Sequence, residues 1–249
     1  MSEPRIVVEN VSKKFKIGCD KKQTFLEKSV SLFSGRELKK ELWALKDVSF
    51  TLNPGECVGI IGRNGAGKST LLKIIAGIIN TNEGIIKTAG RIVPVMETLG
   101  AQPRLSMKDS IFLYCSLCGL KNMETEKILK PIIDFSELER FVNTKIYQFS
   151  AGMAQRLFAS IIVYINQPVI LIDDFSTSLI DTAFLDKWMG RIKSLIDRGA
   201  ALVVASHNLC DLEKYCGRII YLDAGQIVKI GGSREVIGFY NSSLDNILR

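Results

Sequence analysis

The chain has 249 residues, is 47% hydrophobic and 24% charged, and carries a formal net charge of +7. That balance fits one or two globular domains with a large core. No apolar stretch reaches the roughly 18–20 residues that span a bilayer. The start, Met1-Ser2-Glu3-Pro4-Arg5, lacks the charged-then-apolar pattern of a secretory signal, so the chain is expected to be cytosolic or held at a membrane by a partner.

In chain order, Arg5–Val11 reads as a first strand. Residues 18–42 are polar, basic and irregular, with a short apolar patch at Val30, Leu32 and Phe33. Trp43–Leu52 reads as a second strand, and Asn53-Pro54-Gly55-Glu56 turns the chain into the apolar run Cys57–Ile61, a buried parallel strand. A glycine-rich loop follows, then Leu71, Leu72, Ile74, Ile75 and Ile78 at helical spacing. Arg91–Val95 is another strand. From about 97 to 160 the pattern is mostly helical, and Leu157–Ile165 reads as a buried helix. Strands return at Val169–Ile172, Ala201–Ala205, Ile219–Leu222 and Gln226–Lys229. The plan is one α/β nucleotide-binding domain over 1–249, with a mostly helical subdomain at about 97–160 inserted in it.

The loop carries the chemistry. Gly62-Arg63-Asn64-Gly65-Ala66-Gly67-Lys68-Ser69-Thr70 fits G-x-x-x-x-G-K-[ST] between a strand and a helix. Glycines let backbone N–H groups approach oxyanions, and the helix adds the positive end of its dipole. Lys68 can reach the β- and γ-phosphates of a nucleotide, and Ser69 can offer a hydroxyl to magnesium. Three further features end or open elements. Ser150-Ala151-Gly152-Met153 opens an apolar helix and is either an oxyanion site or an ordinary N-cap. Val169–Ile172 ends in Asp173-Asp174, carboxylates placed to hold magnesium and polarise a water. Val203-Val204-Ala205-Ser206 leads to His207, the only histidine, placed to face a γ-phosphate.

Other patterns are plainer. The pair Cys115 and Cys118 forms C-x-x-C, but within an apolar helical run, so buried thiols are expected rather than zinc or redox chemistry. Disulfides are not expected in a cytosolic chain. The basic excess suits phosphate ligands or an anionic surface. No aromatic-interleaved basic stripe is present, so no nucleic-acid partner is expected.

Taken in order, these motifs resemble the ATPase subunit of an ABC transporter. More narrowly, Trp43–Phe50, Gly59–Thr70, Phe149-Ser150-Ala151-Gly152-Met153 and the tail Glu213–Tyr240 resemble the exporters of O-antigen, capsule or teichoic acid chains. The resemblance implies a P-loop NTPase core, ATP and Mg2+ as ligands, and a head-to-tail homodimer. Each ATP would lie between Gly62, Asn64, Gly65, Gly67, Lys68, Ser69 and Thr70 of one subunit and Ser150, Gly152 and Met153 of the other. It also implies a separate integral-membrane permease, which would hold the subunit peripherally on the cytoplasmic face of the inner membrane. Phe15 would stack on adenine, Asp181 would contribute from the Ser178-Leu179-Ile180-Asp181 loop, and the basic stretch 18–42 would meet the permease or the membrane surface. Some members add a C-terminal carbohydrate-binding domain; none is expected here.

Two departures from the family pattern bear on mechanism. The family ends its carboxylate strand in Asp-Glu. Counting from Arg156 puts Asp173 on magnesium and Asp174 in the Glu position. Counting back from Asp181 puts Asp174 on magnesium and Phe175 in the Glu position, and Pro168 agrees with that count. The first count is adopted, because the second leaves Asp173 in a normally apolar strand position where an unpaired carboxylate is costly. The second would make an ATP-binding regulatory subunit with little hydrolysis. In the glutamine loop, Gln102 is the nearest glutamine, while Glu97 lies closer to the expected offset.

Overall fold

The computed structural model describes residues 3–17, 40–95, 102–173 and 181–247. Strand β1 (Ile6–Ile17) pairs antiparallel with β2 (Lys40–Leu52). It runs six residues beyond Val11, through a lysine-rich stretch with no clear alternation. Pairing explains the extension: Lys14, Phe15 and Lys16 lie opposite Trp43, Leu42 and Glu41, so the partner strand satisfies backbone that its own sequence does not mark as strand.

The turn at Asn53–Glu56 feeds β3 (Cys57–Ile61), buried along its whole length. Next come the loop and helix α1 (Lys68–Ile75). Strand β4 (Glu83–Thr88) returns to pair with β1, giving a three-stranded sheet of order β2-β1-β4. This strand has no counterpart in the sequence reading. It is an edge strand with five of its six residues exposed, so hydrophobic alternation never marks it.

After β5 (Ile92–Val95), the chain enters helices α2 (Met107–Leu117) and α3 (Asn122–Ser136), two short 3-10 turns, and α4 (Ala151–Ile165). Helix α3 ends at Glu137, held at φ 60°, ψ 34°, a left-handed position more often filled by glycine or asparagine. Then follow β6 (Val169–Asp173), α5 (Thr182–Asp197), β7 (Ala201–Ala205), α6 (Leu209–Tyr215), β8 (Arg218–Asp223), β9 (Gln226–Gly232) and α7 (Ser233–Ile247). The second sheet has the order β5-β6-β7-β3-β8-β9, parallel except for β9.

Alternation along β3 divides the interior in two. Val58 and Ile60 face a core shared with Leu71, Leu72 and Ile75 of α1 and with inward residues of β1 and β2. Cys57 and Ile61 face a second core shared with α2, α3, α4 and α5. Each fully buried leucine or isoleucine contributes about 2 kcal/mol, so both faces of β3 are anchored. The loop that leaves its carboxyl end therefore starts from fixed backbone.

Candidate functional site

The ends of β3, β6 and β7 lie side by side, because β7 pairs with both β3 and β6. Their carboxyl ends carry the loop at 62–67, Asp173 and the Ser206-His207 pair. Parallel sheets of this kind bind ligands at that edge. A cavity of about 770 Å³ opens there, lined by Asn64–Thr70, Asp173 and His207, with Phe15, Leu42 and Trp43 on its aromatic and apolar side. Phe15 is 39% exposed and Leu42, its cross-strand partner, 53%. Sequence reasoning missed Leu42; only the β1–β2 register reveals that it stands beside Phe15.

Glycine is required in the loop for steric reasons. A Cβ on Gly62 would sit 2.1 Å from the Leu222 carbonyl oxygen, and one on Gly67, at φ 106°, would sit 2.5 Å from that of Ala44. The loop is pressed against fixed backbone on its outer side and leaves its other side to the cavity. Lys68 is buried, and its Nζ donates to the carbonyls of Gly62 at 2.8 Å and Arg63 at 3.2 Å, which compensates burial of the cation. Its ammonium group is thus held against the loop it would serve.

The Ser69 Oγ donates to Asp173 Oδ1 at 3.1 Å. Asp173 is the last residue of β6, is half-buried, and has the Ser69 hydroxyl as a partner. A hydroxyl beside a carboxylate is a hard oxygen pair of the kind magnesium takes, with the rest of its shell left to water and phosphate. Lysine, glycine cradle and oxygen pair together fit a magnesium nucleotide. Asp174, Phe175 and residues 178–180 lie outside the described residues.

The remaining predicted residues stand elsewhere. Ser150 caps α4, accepting the Met153 N–H at 3.2 Å; it is exposed, while Gly152 and Met153 are half-buried, and none of the three lines the cavity. Asp181 caps α5, accepting the Phe184 N–H at 2.9 Å, and its other oxygen accepts from Arg156 Nη2. Arg156 holds the Asp181 carboxyl below the usual carboxylate range, and the guanidinium is itself pushed up by this bond. Gln102 is exposed on the turn before α2, where its carbonyl accepts the Leu105 N–H at 3.0 Å, and it too is absent from the cavity lining.

Cys115 and Cys118 are buried in and at the end of α2, and burial pushes their thiols up to about 11 and about 12. Both sit within the apolar core, the environment of structural thiols.

The ABC transporter family matches residues 45–177. An O-antigen export system ATP-binding protein, RfbB of Klebsiella pneumoniae, is 36% identical over 202 residues, which cover 81% of this chain and 82% of that protein. The teichoic acids export ATP-binding protein TagH of Lactococcus lactis subsp. lactis is 35% identical over 236 residues; these are 95% of this chain but 50% of that protein, so the chain spans about half the length of that relative. Among solved structures, a dimeric ATP-binding cassette in a post-hydrolysis state, bound to ADP and Pi, superposes with a TM-score of 0.74 at 26% identity, covering 92% of this chain and 98% of its own.

Proposed function

This chain belongs to the ABC transporter family, and from that premise we propose that it is the ATP-hydrolysing subunit of an exporter of cell-surface polysaccharide, of O-antigen, capsule or teichoic-acid type. The observation that carries the ATPase reading is the Ser69–Asp173 hydrogen bond at the mouth of the glycine loop, beside Lys68. The relatives named for O-antigen and teichoic acid export support the cargo class. Among the described residues no helix is long and apolar enough to cross a membrane. The relatives are named as ATP-binding proteins of export systems, and by likeness to them the translocation path is assigned to a separate permease, with this subunit peripheral on the cytoplasmic face of the inner membrane. The basic stretch 18–42, assigned to the permease or membrane surface, falls almost wholly outside the described residues.

In this reading Lys68 and the loop N–H groups hold the β- and γ-phosphates, Ser69 and Asp173 hold Mg2+, and Phe15 with Leu42 flanks the adenine. Bound magnesium would neutralise phosphate charge and align the γ-phosphoryl group for in-line attack. Asp174 takes the Glu position and orients the attacking water; its carboxylate is one methylene shorter than that of Glu, which favours slow turnover. His207, on the cavity wall, steadies the γ-phosphate. The cavity takes no residue from Ser150, Gly152 or Met153. A second copy would supply them, with ATP at the homodimer interface, an arrangement consistent with the dimeric structural relative.

The test is magnesium-dependent ATP hydrolysis by the purified protein, alone and with its membrane fraction. Lys68→Ala should lose nucleotide binding and activity together. Asp174→Asn should still bind Mg-ATP but hydrolyse it at least about a hundredfold more slowly. Binding without hydrolysis in the wild type, even with permease present, would replace this reading by the regulatory subunit with Phe175 in the Glu position.

A further inference from the structure

Between the cap of α4 and the cap of α5 lies a side-chain bridge that the proposed chemistry does not use. Glu137, at the left-handed end of α3, sends one carboxylate oxygen to Arg156 Nη1 on α4 at 3.1 Å and the other to Lys187 Nζ on α5 at 3.1 Å. Lys187 also donates to the Phe135 carbonyl at 3.1 Å, and its Nζ lies 4.4 Å from the Phe135 ring centroid. Arg156 passes the connection on to Asp181, the cap of α5, and its guanidinium lies 5.0 Å from the Phe184 ring centroid. One carboxylate thus ties three helices, and a non-glycine residue accepts a left-handed backbone to place it.

We propose that Glu137 is a positioning residue: through Arg156 and Lys187 it locks the Ser150–Met153 turn and Asp181 into one rigid body, so that both would meet the nucleotide of the opposing subunit together. This rests on the reading of a two-subunit ATP site given above. The pairs are partly exposed, with side-chain exposures of 51% for Glu137 and 23% for Arg156, so each adds little to global stability. Their effect lies in relative orientation. A small misplacement of groups that contact the reacting phosphate lowers the rate of the chemical step without weakening binding at the glycine loop.

Glu137→Gly separates this role from a purely structural one, because glycine relieves the left-handed backbone while deleting the carboxylate. The expected result is an unchanged or higher melting temperature and a KM for ATP within about twofold of wild type, with kcat reduced about five- to tenfold. Glu137→Asn, which also tolerates the left-handed position, should show the same split. Amide hydrogen exchange gives a second readout that needs no turnover. Exchange should quicken at Ala154–Arg156 and Leu185–Lys187 in the variants while β3 keeps its protection. Wild-type kcat in Glu137→Gly, a loss confined to KM, or unaltered exchange in both segments would overturn the proposal. A wild type that binds ATP without hydrolysing it would break the proposed function instead, and the exchange comparison would then decide the bridge.

Discussion

Two helix N-termini in this molecule are proposed to meet phosphate, and they are built differently. Helix α1 has no side-chain cap; Gly67 occupies that position with φ 106°, and backbone contacts to Ala44 and Leu222 fix the loop around it. Helix α4 is capped by the Ser150 hydroxyl and braced by Arg156, Glu137, Asp181 and Lys187, which lie apart in sequence and reach one another through side chains. The first site is over-determined by backbone resting on a fully buried strand. The second is held in place by side chains alone, so that deleting one partner loosens it where the first would not yield.

The contrast predicts unequal responses to small substitutions. The largest belongs to Gly67→Ala, whose Cβ would meet backbone that cannot yield; a loss of about 3 kcal/mol, with ATP binding abolished, is expected. Thermal melting and nucleotide titration check it, and a variant that melts and binds like wild type would show that the loop is as adaptable as the Ser150 turn. Ser150→Ala should cost about 1 kcal/mol through the lost cap, a fall of about 2–4 °C in melting temperature. Nucleotide binding to the isolated subunit should be untouched, since Ser150 lies off its cavity; weakened monomer binding would place that turn in the same-subunit site.

At neutral pH the smallest effect, essentially none, comes from the buried thiols of helix α2, whose contribution emerges only in alkali. Cys115 and Cys118 would titrate near 9 in the unfolded chain but near about 11 and about 12 when folded. The unfolded state therefore releases its protons first, so stability is constant below about pH 9 and falls as pH rises toward about 12. Denaturation from pH 8 to 11 on wild type and on Cys115→Ala/Cys118→Ala checks the sign; a slope that survives in the double variant would assign the effect to other groups.

Legibility followed the same division. Cys57–Ile61, the loop and the strands at 201–205 and 219–222 were readable because their signals are local: continuous apolar runs, glycine spacing and a lysine-hydroxyl pair. The carboxylate question was not settled by counting, since two alignments fitted. The structure adds that Asp173 meets Ser69, 104 residues away, while Asp174 and Phe175 lie outside the described residues. Edge strand β4 and the closing helix α7 escaped notice because their signals are weak: β4 is mostly exposed, and α7 is largely polar outside a short apolar run.

By itself, then, the sequence determined the α/β class, the position of the glycine loop on a strand-to-helix turn, and the residue types able to handle phosphate. These follow from backbone geometry and from periodicity over a few residues. Only the tertiary structure decided that Leu42 stands beside Phe15, that Asp173 reaches Ser69, and that Glu137 joins three helices. Each of these depends on strand register or helix packing between segments distant in sequence, and no local preference encodes such distances.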